Sequence, residues 1–151
     1  EYFDKKDWRL LIIGKGNFKK FLKYLPKNKL DQIIMKEPEP EIEQYYGAAD
    51  LFILPSIYEP FGNANLEALA TGLPVITTKF CGASNIIESK NNGLVVKDPY
   101  NPKEIAEKIN YLFDPSIRET MGNNARKLAE QFSLGRNNQE MLQIYKKITT
   151  V

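Results

Sequence analysis

The chain has 151 residues, 42% apolar and 26% charged, ordinary composition for one globular domain long enough to bury a core. Its 21 basic and 19 acidic residues leave a net charge of +2, so no whole-chain field calls for a nucleic acid partner. Histidine is absent and Cys81 is the single cysteine, which removes imidazole catalysis, histidine- or cysteine-cluster metal sites and an internal disulfide. No apolar run reaches the length of about 18 residues that a membrane-spanning helix needs, and no signal-peptide pattern opens the chain. The expectation is a cytoplasmic protein whose chemistry rests on carboxylates, amides and backbone groups.

Strand and helix patterns alternate through the first two-thirds. Arg9–Gly14 is a short apolar run ended by glycine, the pattern of a strand buried on both faces. Phe18, Phe21, Leu22 and Leu25 then fall on one helical stripe, closed by Pro26. Gln32–Met35 reads as a second strand, Ile42, Tyr45, Tyr46 and Ala49 as a helical stripe, and Leu51–Leu54 as a strand stopped by Pro55. A helix beginning near residues 63–65 carries Leu66, Leu69 and Ala70 and ends at Gly72. Pro74–Thr77 and Gly93–Val96 are further strands, with a short helix over 83–88 between them.

The last third is purely helical. Asn101, Pro102 and Glu104 form a capping-box pattern with proline at the first helical position. Asp114-Pro115 starts another helix, and a final one runs from about Arg136. Strand–helix alternation with short connections implies right-handed crossovers and a parallel sheet. The predicted fold is one α/β domain: a Rossmann-like parallel sheet of about five strands flanked by helices, with the last three helices wrapping one side.

Three segments carry candidate chemistry. Gly14-Lys15-Gly16 lacks the third glycine of a dinucleotide fingerprint, since Lys19 stands there, and Asp31 precedes the second strand; it reads as a plain strand-to-helix turn. From Trp8 to Leu30 there is no acidic residue, while Lys19, Lys20 and Lys23 lie opposite the phenylalanine stripe. That face reads as solvated, with at most weak, salt-sensitive contact with the inner face of a membrane. The phenylalanines are assigned to the buried side, so no stacking platform for nucleic acid is expected.

The third segment is residues 55–70. It follows an apolar strand and therefore sits at the carboxyl edge of the sheet, where open α/β folds bind ligands. Glu59 lies in a loop bracketed by Pro55 and Pro60, Gly62 permits close backbone approach, and the following helix start offers free N–H groups to an anion. Glu67, placed in the first turn of that helix, reads either as a ligand contact or as a complement to the helix dipole.

Glu59 and Glu67, with seven residues between them inside Ser-x-x-Glu-Pro-Phe-Gly-x-x-x-Leu-Glu-Ala, resemble the signature of the retaining GT-B glycosyltransferases of family 4. Residues 50–56, 70–76 and 92–96 resemble the same family's flanking segments in the same order. Where that family usually carries Gly-Gly-x-x-Glu, this chain has Cys81-Gly-Ala-Ser-Asn85, a start similar to the lipopolysaccharide core glucosyltransferases.

The resemblance implies that residues 1–151 are the nucleotide-sugar-binding C-terminal half of a GT-B fold. By the same likeness, the domain's first strand, with its diphosphate-neutralising Arg and Lys, and the N-terminal acceptor domain would lie before Glu1. Glu59 would contact the donor sugar beside the reacting carbon. Phe61, Gly62, Asn63, Ala64 and Asn65 would hold sugar and phosphate through backbone N–H groups, with Leu66 beside them. Glu67 would take both ribose hydroxyls, and backbone groups near Met35 and Lys36 would read uracil. The donor implied is UDP-glucose or a similar UDP-sugar, and the acceptor a glycan or lipid-linked glycan. No metal or other cofactor is implied, since no Asp-x-Asp site is present. Two rival readings are a UDP-sugar epimerase of GT-B fold, against which the absence of histidine counts, and a non-catalytic nucleotide-sugar-binding module.

Overall fold

Short apolar runs become parallel strands and the 3.6-period stripes become helices laid across them. The computed structural model describes residues 7–149; residues 1–6 and 150–151 of the expected domain lie outside the described ones. Strands β1 (Leu10–Ile13), β2 (Ile33–Lys36), β3 (Phe52–Leu54), β4 (Val75–Thr78) and β5 (Gly93–Val96) alternate with α1 (Ile42–Ala48) and α2 (Asn63–Ala70), then give way to α3 (Pro102–Tyr111), α4 (Pro115–Ala129) and α5 (Leu134–Thr149). The described strand pairs are parallel, as the crossover argument requires.

The strands form two sheets rather than one: β1 pairs with β2, while β3, β4 and β5 form a second sheet in that order. β1 was expected to be buried on both faces. Leu10 and Leu11 instead stay 36% and 37% exposed, because a paired strand covers only an edge and the Phe18–Tyr24 segment that follows buries no residue of its own.

β4 is the centre of the molecule and is buried throughout. Strand alternation sends Val75 into a cluster with Tyr46, Leu69, Ala125 and Ala129, and Ile76 into a second with Leu94, Val96, Leu112 and Met121. Helix α4 reaches α2 at a glycine contact, where a Cβ on Gly122 would lie 2.3 Å from the Gly72 carbonyl oxygen.

Helix starts follow their capping residues. Asn101 accepts from the Glu104 N–H at the head of α3, and Asp114 accepts from the Ser116 N–H at the head of α4. The Glu104 carboxylate bonds the Lys97 and Asp98 N–H groups instead of closing a capping box onto Asn101.

Two helical expectations need correction. The Phe18–Tyr24 segment is a 3₁₀ helix with no buried residue, and Phe21 is 49% exposed. Lys20 and Lys23 lie over the Phe21 and Tyr24 rings at 4.9 and 4.8 Å, so these aromatics face their own lysines and not the core. The final helix α5 buries none of its residues, so the helical tail does not wrap the sheet as a unit. Among the described residues, no helix is long and apolar enough to cross a membrane.

Candidate functional site

The site is built at the carboxyl ends of β3 and β4. Thr77 and Thr78 donate their hydroxyls to the Leu54 and Ser56 carbonyls at 3.2 and 2.6 Å, anchoring the start of the loop that leaves β3. Farther along, that loop is zippered onto the segment leaving β4. The Glu59 N–H donates to the Phe80 carbonyl at 3.1 Å, Gly82 N–H to Glu59 at 3.0 Å, and Ala83 N–H to Phe61 at 2.9 Å. Glycine is required at 82, because a Cβ there would lie 2.0 Å from the Pro60 carbonyl oxygen. Glu59 is therefore held at its backbone by both neighbours of Cys81 in the chain, and its half-buried side chain lies beside Gly62.

Gly62 turns the chain into α2. Its φ of 79° is left-handed, and a side chain there would meet Asn65 Nδ2 at 2.8 Å, Glu59 Cγ at 2.9 Å and Cys81 Sγ at 3.0 Å. It caps α2 with no side-chain hydrogen bond, so the first N–H groups of the helix, at Asn63 and Ala64, have no side-chain cap. Asn65 and Leu66 follow within the first turn, Asn65 fully buried and Leu66 half-buried.

The buried Asn65 donates Nδ2 to Cys81 Sγ at 3.2 Å, and the Cys81 thiol donates to the Phe61 carbonyl at 3.0 Å. Asn65 Oδ1 is enclosed without a hydrogen-bond partner.

Glu67 departs from its expected place. It is the fifth residue of α2, and the first turn holds no acidic residue, so it does not complement the helix dipole there. One of its oxygens, Oε2, accepts from the hydroxyl of Tyr46 at 3.0 Å. Tyr46 is 8% exposed and packs edge-on against Phe52 of β3, with ring centroids 5.6 Å apart. Burial, followed by the bond to Glu67, pushes the Tyr46 phenol well above its ordinary pKa, so it stays a donor at neutral pH.

Met35 and Lys36 end β2, in the other sheet, and α1 is the link between the two regions. Lys36 Nζ donates to Tyr45 Oη at 2.6 Å and pairs with Glu39 at 2.7 Å. Its pKa is raised by the hydrogen bonds to Glu39 and Tyr45, and that of Glu39 is lowered by the same lysine. The adjacent tyrosines of α1 thus serve different partners, Tyr45 the end of β2 and Tyr46 the middle of α2.

The expected residues therefore separate into a contiguous group, Glu59 to Glu67, and a second pair at β2. The sequence reading assigned Tyr46 to an apolar stripe and missed its role. The available signal was its hydroxyl, since a buried tyrosine needs a hydrogen-bond partner. A separate depression of about 460 Å³, lined by Thr71, Gly72, Arg118, Gly122 and Arg126, lies between α2 and α4, away from the carboxyl edge of the strands.

Comparison with known proteins gives a consistent likeness. The family model described as glycosyl transferases group 1 matches residues 2–128. Spore coat protein SA of Bacillus subtilis (strain 168) is 37% identical over 110 residues, which is 71% of this chain and 29% of that protein. The chain thus spans under a third of that relative's length. Among solved structures, HepE of Anabaena in complex with UDP superposes with a TM-score of 0.79 at 26% identity, covering 95% of this chain and 41% of that one. WaaG, a glycosyltransferase involved in lipopolysaccharide biosynthesis, gives a TM-score of 0.74 at 28% identity, covering 83% of this chain and 35% of that one.

Proposed function

As the chain belongs to the glycosyl transferases group 1 family and has the architecture of a GT-B half, we propose that residues 1–151 form the nucleotide-sugar-binding domain of a retaining hexosyltransferase. The donor is a UDP-sugar, with UDP-glucose the leading candidate, because HepE is described in complexes with UDP and with UDP-glucose. The observation that carries the reading is the single turn that sets Glu59, the uncapped start of α2 and the Tyr46-held Glu67 along one stretch of chain at the carboxyl edge of parallel strands.

In this reading Glu59 contacts the sugar beside the reacting carbon. The N–H groups of Phe61, Gly62, Asn63 and Ala64 face sugar and phosphate, with Leu66 packed behind them; the Asn65 N–H, expected to join them, is instead given to the Gly62 carbonyl at 2.8 Å. Glu67 takes the ribose, and the chain near Met35 and Lys36 takes uracil. As the bond from the anomeric carbon to the diphosphate breaks, negative charge grows on the leaving oxygen. Preorganised N–H dipoles stabilise that charge without reorganising, which is electrostatic catalysis.

The acceptor is a glycan, for which a lipopolysaccharide core is the candidate suggested by the likeness to WaaG. Acceptor recognition belongs to a further domain of the protein. The basic face from Lys15 to Lys29 supports weak peripheral contact with an anionic membrane, which cosedimentation with vesicles at low and high salt would measure.

The experiment for the domain itself is calorimetric titration with UDP, UDP-glucose and NAD. Binding of UDP and UDP-glucose without NAD supports the reading; preference for NAD overturns it. Hydrolysis or epimerisation of UDP-glucose without an acceptor would favour the epimerase class instead.

A further inference from the structure

We propose that Tyr46 is a positioning residue that sets the Glu67 carboxylate for the ribose and thereby makes the site prefer a ribonucleotide to its 2′-deoxy form; this rests on the donor-site reading above. Glu67 is exposed, and an exposed glutamate samples many rotamers that a bound ligand would have to select. Tyr46 removes that freedom. Its ring is buried against Phe52, and its hydroxyl reaches across from α1 to hold Oε2 at 3.0 Å.

The consequence is a division of labour between the two carboxylate oxygens. Oε2 is committed to the phenol and retains one lone pair, while Oε1 stays open to an incoming hydroxyl. In the donor-site reading Glu67 takes both ribose hydroxyls, and they would meet a carboxylate already fixed from behind. A site built to hydrogen-bond a particular hydroxyl penalises the analogue that lacks it, and the penalty grows with the rigidity of the acceptor.

Tyr45 supplies a contrast on the same helix. Its hydroxyl is engaged by Lys36, which Glu39 also holds, so Tyr45 is tied to the β2 end and contributes nothing to Glu67.

The test is calorimetry of the chain with UDP and with 2′-deoxy-UDP for the wild type, Tyr46→Phe, Glu67→Gln and the double variant. Removing the hydroxyl should weaken UDP binding by about 5- to 20-fold and bring the UDP preference over 2′-deoxy-UDP down to within about threefold. In the Glu67→Gln background, Tyr46→Phe should change both quantities far less than it does in the wild type, because the charged acceptor it positions is gone. A purely structural tyrosine would lower the melting temperature while leaving the ratio of the two affinities unchanged, and that result overturns the proposal. Glu67→Asp keeps the charge but withdraws it by one methylene from the phenol and the ribose alike, and it can be measured even where Tyr46→Phe does not fold. It should lose affinity nearly as Glu67→Gln does, and retained affinity overturns the role of Tyr46. Unchanged UDP binding in Glu67→Gln overturns the donor-site reading itself, a result distinct from failure of Tyr46→Phe alone.

Discussion

Asn65 and Cys81, on α2 and on the segment leaving β4, meet at 3.2 Å inside the turn that presents Glu59. The same sulfur is donor to the Phe61 carbonyl, so one thiol closes the loop and the helix start against each other. Cys81 is only 1% exposed, so neither bond is replaced by water when the sulfur is removed. Cys81→Ala should therefore destabilise the chain by about 1–3 kcal/mol, the usual penalty for leaving a buried polar group unpaired, here Asn65 Nδ2, since the Phe61 carbonyl keeps its bond from the Ala83 N–H. Cys81→Ser preserves a donor and an acceptor and should lose less. Urea denaturation with an unchanged m-value is the measurement, and equal losses in the two variants would contradict the hydrogen-bonding account.

Gly62 and Gly14 should respond very differently to alanine. At Gly62 the left-handed backbone costs about 1–2 kcal/mol and crowding about 1–3 more. The crowding atoms are Asn65 Nδ2, Glu59 Cγ and Cys81 Sγ, so the same substitution should displace the site and abolish nucleotide binding. A Cβ on Gly14 meets nothing within 4 Å, and Gly14→Ala should be nearly neutral. Thermal melts of the two variants decide the matter.

The two carboxylates should separate under substitution. Glu67→Gln is expected to weaken UDP binding by about 2–3 kcal/mol, or roughly 30- to 150-fold, as for hydrogen bonds to a charged acceptor. Glu59→Gln should leave plain UDP almost unaffected and lower affinity for UDP-glucose. Calorimetry with both ligands tests this, and equal effects on UDP would mean that the carboxylate assignments are wrong.

Tyr46 also predicts an alkaline signature. Its folded-state pKa lies above the ordinary value of 10.0, first through burial and then through the bond to Glu67. The stabilisation due to the neutral phenol is therefore fully present below about pH 10 and is lost as pH rises through the folded-state value. Relative to Tyr46→Phe, the wild type should lose stability steadily above pH 10, where unfolded chains gain by ionising the phenol. Denaturation of both proteins between neutral pH and pH 11 measures it; parallel curves would mean that the phenol is not perturbed.

Asn101→Ala removes the acceptor for the Glu104 N–H and should cost about 1 kcal/mol, the usual loss at a helix cap. Denaturation of that variant provides a reference for a purely local helix-cap effect.

Local chemistry was legible in the sequence because its causes lie a few residues apart. Glycine at 62 and 72, the caps at Asn101 and Asp114, and the short apolar runs each act through nearest neighbours along the chain. The motif from Glu59 to Glu67 was legible for the same reason, being one loop and one helix start. Periodicity, however, says only that a residue has an apolar side; it does not say what will cover that side. Phe21 fell on a clean stripe and remained half exposed, and the five strands divided into two sheets. Glu67, assigned to the first turn, lies beyond it, because the helix already begins at Asn63, directly after the left-handed Gly62. The partners of Glu67 and Asn65 were also beyond reach of the sequence pattern. Tyr46 and Cys81 lie 21 and 16 residues from them, and only the crossover of parallel strands, which returns each connection to the same sheet edge, brings a phenol to a carboxylate and a thiol to an amide.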